Sequence, residues 1–98
     1  MSLPVVLQPP AETDLRTARR WYEAQRAGLG DDFIAAVDKL LELIGAVPEL
    51  YPIARADIRR GKVKRFPYVV YYRVHPNRVE VIGILHGHRN PRTWQDRI

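Results

Sequence analysis

The sequence predicts one small α+β domain: an N-terminal strand, then an antiparallel helix hairpin packed on one face of a mainly antiparallel sheet. Three observations carry that expectation. Residues 63–89, VKRFPYVVYYRVHPNRVEVIGILHGHR, hold two runs dense in Val, Ile and Tyr around Pro76 and Asn77, the pattern of a β-hairpin. Residues 11–47 place apolar side chains at intervals of three and four, the spacing of amphipathic helices. A length of 98 residues suffices for one hydrophobic core and not for two.

In chain order, Leu3 to Gln8 reads as a short strand that Pro9 and Pro10 close, because proline cannot donate to a ladder. A first helix is expected from Pro10 or Thr13 to about Arg26. Ala11, Leu15, Ala18 and Tyr22 form its apolar face, with Trp21 beside them in a packing role, and Glu12, Arg16, Arg19, Arg20 and Glu23 face solvent. Ala27-Gly28-Leu29-Gly30 breaks this helix, and Asp31 and Asp32 suit the exposed amides of a second one. Phe33, Val37, Leu40, Leu41, Ile44 and Val47 are its core stripe, with Gly45 and Pro48 expected to end it. Glu49 to Asp57 shows no period and contains Pro52, so it reads as a connecting loop.

Ile58 to Phe66 reads as a charged strand near a sheet edge, where cations discourage unwanted pairing. Tyr68 to Val74 and Val79 to His86 are apolar on both alternating faces. Val69 and Tyr71 oppose Val70, Tyr72 and Val74, while Val79, Val81 and Leu85 oppose Ile82 and Ile84. Strands apolar on both sides are central strands. Two helices cover only one sheet face, so the other must meet the C-terminal tail, a partner, or both. That second face is expected to be the partner surface, covered by a peptide with apolar and acidic residues. Pro91 to Arg97 suits a single helical turn.

Charge is unevenly spread. Residues 1–54 carry five Lys/Arg against eight Asp/Glu, a balance of −3, and residues 55–98 carry eleven against three, a balance of +8. Arg59, Arg60, Lys62, Lys64 and Arg65 crowd the entrance to the hairpin, and Arg89 and Arg92 follow its exit. Such a field draws in polyanions or an acidic protein surface, although solvated, solubilising charge produces the same pattern. Cysteine is absent, which removes disulfides, thiolate nucleophiles and Cys-based zinc sites. No charged leader precedes the first apolar run, and no apolar stretch approaches the roughly 20 residues that span a bilayer. The expectation is a soluble, cytoplasmic protein without a membrane partner.

The histidines do not assemble a metal site by spacing, and no cofactor is expected. RNA cleavage needs no metal, only a base, an acid and cations around the phosphate. His86 or His88 could supply the proton chemistry, with Lys62, Lys64, Arg65 and Arg89 on phosphate; the alternative is plain edge-strand cations beside solvated histidines. His75 falls in the turn and is expected to be solvated only. Trp94 and Tyr68 lie near arginines, where aromatic rings stack on bases or equally fill a core. Gly28-Leu29-Gly30 lacks the lysine and the strand of a phosphate loop, which argues against nucleotide binding.

The order of parts carries a resemblance. Trp21-Tyr22-Glu23 on the helix hairpin, Arg65-Phe66-Pro67-Tyr68 with Val70-Tyr71-Tyr72-Arg73, and His86-Gly87-His88-Arg89 with Pro91 and Trp94 resemble the RelE/ParE superfamily of type II toxin-antitoxin toxins, often labelled plasmid stabilisation proteins. The resemblance runs along nearly the whole chain. It implies two helices on an antiparallel sheet, and a cognate antitoxin that wraps the toxin in a hetero-oligomer. RelE-like members cleave ribosome-bound mRNA; Arg60 and Lys62 match their basic pair, and Arg89 their later arginine. Two positions depart: Val69 stands where an arginine is expected, and Trp94-Gln95 where a C-terminal tyrosine is. ParE-like members look like the same scaffold without that site and poison DNA gyrase by binding. The expectation is therefore a ParE-like gyrase poison that grips partners through Arg60, Lys62, Lys64, Arg65, Tyr68, Arg73, Arg89 and Trp94. The alternatives are an mRNA endonuclease using Arg60, Lys62, Arg65, His86, His88 and Arg89, and a non-catalytic module that only binds its antitoxin.

Overall fold

The predicted hairpin forms the middle of the sheet. In the computed structural model, which describes residues 2–98, β4 (Tyr68–Val74) and β5 (Val79–His86) pair antiparallel from Tyr68 opposite His86 to Val74 opposite Val79. The amide of His75 donates to the carbonyl of Arg78 at 2.8 Å and closes the turn. β3 (Ile58–Lys62) adds antiparallel to β4, and β2 (Ile53–Arg55) antiparallel to β3. On the far side β1 (Val5–Leu7) runs parallel to β5, giving the order β1-β5-β4-β3-β2. The parallel pairing follows from the helix hairpin, which carries the chain across the sheet before β2 begins.

Helix α1 (Pro9–Gln25) starts earlier than Thr13, because prolines in its first two positions lack only amides that would be unpaired there. Gly28, at φ 88°, makes the left-handed turn into α2 (Leu29–Ala46). Glu23, expected to face solvent, accepts the amides of Gly28 and Gly30 at 3.0 Å each. It thus caps the second helix from the first, satisfying amides that α2 leaves unpaired. Gly45 does not end α2 but lies inside it. A β-carbon there would meet the carbonyl oxygen of Leu3 at 2.9 Å, and that close approach lets Leu3 donate to Gly45 at 2.9 Å.

The core has two layers. Ala11, Ala18 and Tyr22 of α1 and Phe33, Val37, Leu40 and Ile44 of α2 cover Val70, Tyr72, Val79, Val81 and Ile84. Ile58, Val69, Tyr71, Ile82, Leu85 and Trp94 pack on the opposite face. Leu85 therefore lies with Ile82 rather than with Val79 and Val81. The cause is a bulge: Tyr71 pairs with Gly83 and Tyr72 with Val81, so Ile82 is the extra residue and the alternation of β5 reverses there.

The second sheet face is not open, which corrects the expectation of a partner surface. Trp94 of α3 (Arg92–Gln95) stacks on Tyr71 at 4.6 Å with the rings 16° from parallel, and is 5% exposed. Arg97 then crosses Gly83 to pair with Asp14 at 2.6 Å and to donate to the carbonyl of Ile82 at 3.1 Å, while Arg55 donates to Gln95 at 2.9 Å. The tail closes the face with the chain's own residues. Two further expectations change. Glu49 to Asp57 contains β2, whose three residues are all exposed, and Val47 is exposed rather than part of the α2 core stripe.

Candidate binding site at the basic end of the sheet

The end of β3, the start of β4 and the end of β5 meet at one end of the sheet, as antiparallel pairing of Lys62 with Val69 and Tyr68 with His86 requires. The turn from Val63 to Pro67 and the loop from Gly87 to Asn90 are joined there by the amide of Gly87, which donates to the carbonyl of Pro67 at 2.8 Å. Arg65 and Arg89 therefore stand on adjoining loops. Arg65 has φ 73°, a left-handed conformation that costs an L-residue energy and is found where a loop must present a side chain in a set direction.

The predicted site residues divide into groups. Lys62, Lys64 and Arg65 line a cleft of about 310 Å³ between this turn and α2. Ala36, Leu40, Leu43 and Tyr51 make it apolar, Lys39 adds a fourth cation, and Asp32 is its one carboxylate. Lys62 also donates Nζ to the carbonyls of Val63 and Phe66 at 3.3 and 3.4 Å, so part of its charge is used to hold the turn. Sequence reasoning does not single out Lys39 and Tyr51. Lys39 lies one turn of α2 before Leu43, and Tyr51 follows the end of that helix, so neither is marked by the pattern of the hairpin.

Tyr68, His86, His88 and Arg89 form a second group. The Tyr68 and His86 rings lie 5.6 Å apart, and His86 and His88 5.5 Å apart, with the His88 amide donating to His86 Nδ1 at 3.1 Å. Burial pushes the Tyr68 hydroxyl above its ordinary pKa, while the nearby Arg89 guanidinium acts in the opposite sense. Trp21, expected to pack, is instead 57% exposed and borders this group.

The remaining residues lie elsewhere. Arg60 sits 5.8 Å from the Tyr71 ring centre on the face closed by the tail. Arg73 is at the other end of β4, paired with Asp57 at 2.8 Å and 3.9 Å from Glu80. There Glu80 also accepts from His75 Nε2 at 2.9 Å and from Gln8, so His75 is bonded rather than merely solvated. Those contacts, His75 first, hold the Glu80 carboxyl below the ordinary carboxylate range against the effect of burial. Trp94 is core. Among the described residues no group of three or more His, Asp or Glu side chains is placed to hold a metal ion, and no helix is long and apolar enough to cross a membrane.

Fold and site together define a small basic α+β protein whose conspicuous surface features are an apolar cleft rimmed by cations and an aromatic recess near Arg89. The fold is similar to that of a solved chain from P. aeruginosa described as "Chromosomal ParDE TA system", with a TM-score of 0.65, 15% identity, and coverage of 87% of this chain and 96% of that one. At that identity the likeness speaks for the fold. No curated protein matches the sequence. The family model for the ParE toxin of the type II toxin-antitoxin system, parDE, matches residues 5–91. The chain belongs to the ParE toxin family, and is thus the toxin component of a type II toxin-antitoxin pair.

Proposed function

We propose that this toxin acts by binding, as a poison of DNA gyrase, and that its cognate antitoxin restrains it through the cation-rimmed cleft. One observation carries the choice of binding over RNA cleavage. Val69, at the position where the resemblance to RNA-cleaving toxins expects an arginine, is 3% exposed and packs among Ile58, Tyr71, Leu85 and Trp94. A buried valine neither holds phosphate nor moves a proton. Arg60, which matches a cation of the cleaving site, faces the Tyr71 ring instead of an open groove.

The cleft suits an acidic amphipathic segment. Apolar side chains would bury Leu40, Leu43 and Tyr51, and carboxylates would meet Lys39, Lys64 and Arg65. Reversing two rim charges, Lys39→Glu with Lys64→Glu, should weaken antitoxin binding about 100-fold in calorimetry. An unchanged affinity would move the antitoxin elsewhere.

The cleavage reading keeps one observation in its favour, the neighbouring rings of Tyr68, His86 and His88 beside Arg89. Inducing the toxin without antitoxin separates the two. Growth arrest with full-length mRNA, scored by primer extension, supports the binding reading. Codon-registered cleavage that disappears in His88→Ala contradicts it, since loss of a general base lowers rates by about 100-fold or more.

A further inference from the structure

Helix α1 buries Tyr22 but leaves the adjacent Trp21 in solvent, at the border of a recess of about 360 Å³ that Tyr22, Pro67, Tyr68 and His86 complete. Four of its five lining residues carry rings with π faces. Trp21 stands edge-on to Tyr22 at 5.1 Å, Tyr22 lies 5.9 Å from Tyr68, and Tyr68 lies 5.6 Å from His86. The volume falls in the range of small-ligand sites, and no carboxylate lines it.

The surroundings identify the chemistry of an occupant. Arg89 stands three residues past His86, on the loop that the Gly87 to Pro67 hydrogen bond holds against the turn before β4, and its charge acts on Tyr68; Arg65, two residues before Pro67, lines the cleft instead. Neither forms an ion pair among the described residues. Rings that accept a planar face, with an unpaired cation beside them, are features that hold single-stranded nucleic acid: bases stack on the rings and phosphates meet the cation. A purely apolar peptide would leave Arg89 unused. An acidic amphipathic one has the cleft on the other side of the Val63 to Pro67 turn.

We infer that the recess receives an unpaired base of single-stranded DNA, stacked against Trp21, with an adjoining phosphate on Arg89. The choice of DNA over RNA rests on the proposed gyrase target; the base-binding recess does not.

Titration of the whole chain with fluorescein-labelled decathymidylate, and separately decauridylate, tests this by label anisotropy and intrinsic indole fluorescence. Trp94 is buried, so quenching reports Trp21. Saturable binding of decathymidylate with quenching is expected. Trp21→Ala should weaken it about tenfold and Trp21→Phe less, because a smaller ring still stacks. Arg89→Ala should lower the slope of log affinity against log salt by about one, and Arg16→Ala, exposed on α1, should change neither affinity nor slope. Absence of saturable binding, an affinity unmoved by Trp21→Ala, or preference for decauridylate would overturn the assignment. The titration contains no gyrase, so its failure leaves the proposed target standing, and a toxin without effect on gyrase leaves the recess standing.

Discussion

Trp94, Glu80 and Arg97 show how single side chains fasten the tail and the turn to the sheet. Trp94 fills the second face against Tyr71, so Trp94→Ala should cost about 3 to 5 kcal/mol by chemical denaturation and expose Val69, Leu85 and Ile82 to dye. The Glu80 carboxyl is held below its ordinary value of 4.5 by His75, Gln8 and Arg73. A depressed folded-state pKa means stability that is complete above pH 4.5 and lost as pH falls through the lower folded value. Glu80→Gln should therefore flatten the loss of stability below that pH, and an acid profile identical to the parent's would contradict the role. At this scale the sequence is only partly legible. The surroundings of His75, Glu23 and Trp21 escape a reading of neighbours along the chain, because they depend on residues that folding brings in: Glu80 of β5, the turn into α2, and the Pro67 loop.

Elements are legible where periodicity is strong. The hairpin boundaries match at Tyr68, Val74, Val79 and His86, and α1 and α2 lie where apolar spacing places them. β2 is not visible, because three residues that are all exposed carry no alternation. The bulge at Ile82 is invisible for a related reason: one extra residue leaves composition unchanged and reverses the parity of the residues after it. Gly45 reads as a helix breaker in sequence and is a contact in the fold. Gly45→Ala should destabilise by about 1 to 3 kcal/mol despite the better helix propensity of alanine, because the Leu3 backbone must move. A stabilised variant in thermal denaturation would show that Leu3 yields at little cost. The candidate site is legible as a set of cations on one hairpin, and not as a cleft, since α2 contributes Lys39 and the β2 approach contributes Tyr51.

Across the whole molecule, the uneven charge becomes a division of labour between surfaces. The half of the chain that forms the helix hairpin is acidic overall, and the half that forms most of the sheet carries the balance of +8. Of that half's cations, Lys62, Lys64, Arg65 and Arg89 stand at the end of the sheet with the cleft and the recess, while Arg73 is held in ion pairs at the other end and Arg97 pairs with Asp14. A field of that kind speeds encounter with acidic surfaces and nucleic acid, so association with antitoxin should slow by about tenfold or more as salt rises above physiological levels, with a smaller change in dissociation. Plasmid supercoiling by gyrase from the source organism, with and without purified toxin and scored for both lost supercoiling and linear DNA, reads the toxin's effect on gyrase directly. A toxin that works by binding gyrase should inhibit supercoiling and yield linear DNA, and added antitoxin should reverse both. Gyrase that supercoils at its full rate in excess toxin would rule out gyrase as the target and move the site to His86, His88 and Arg89 acting on mRNA.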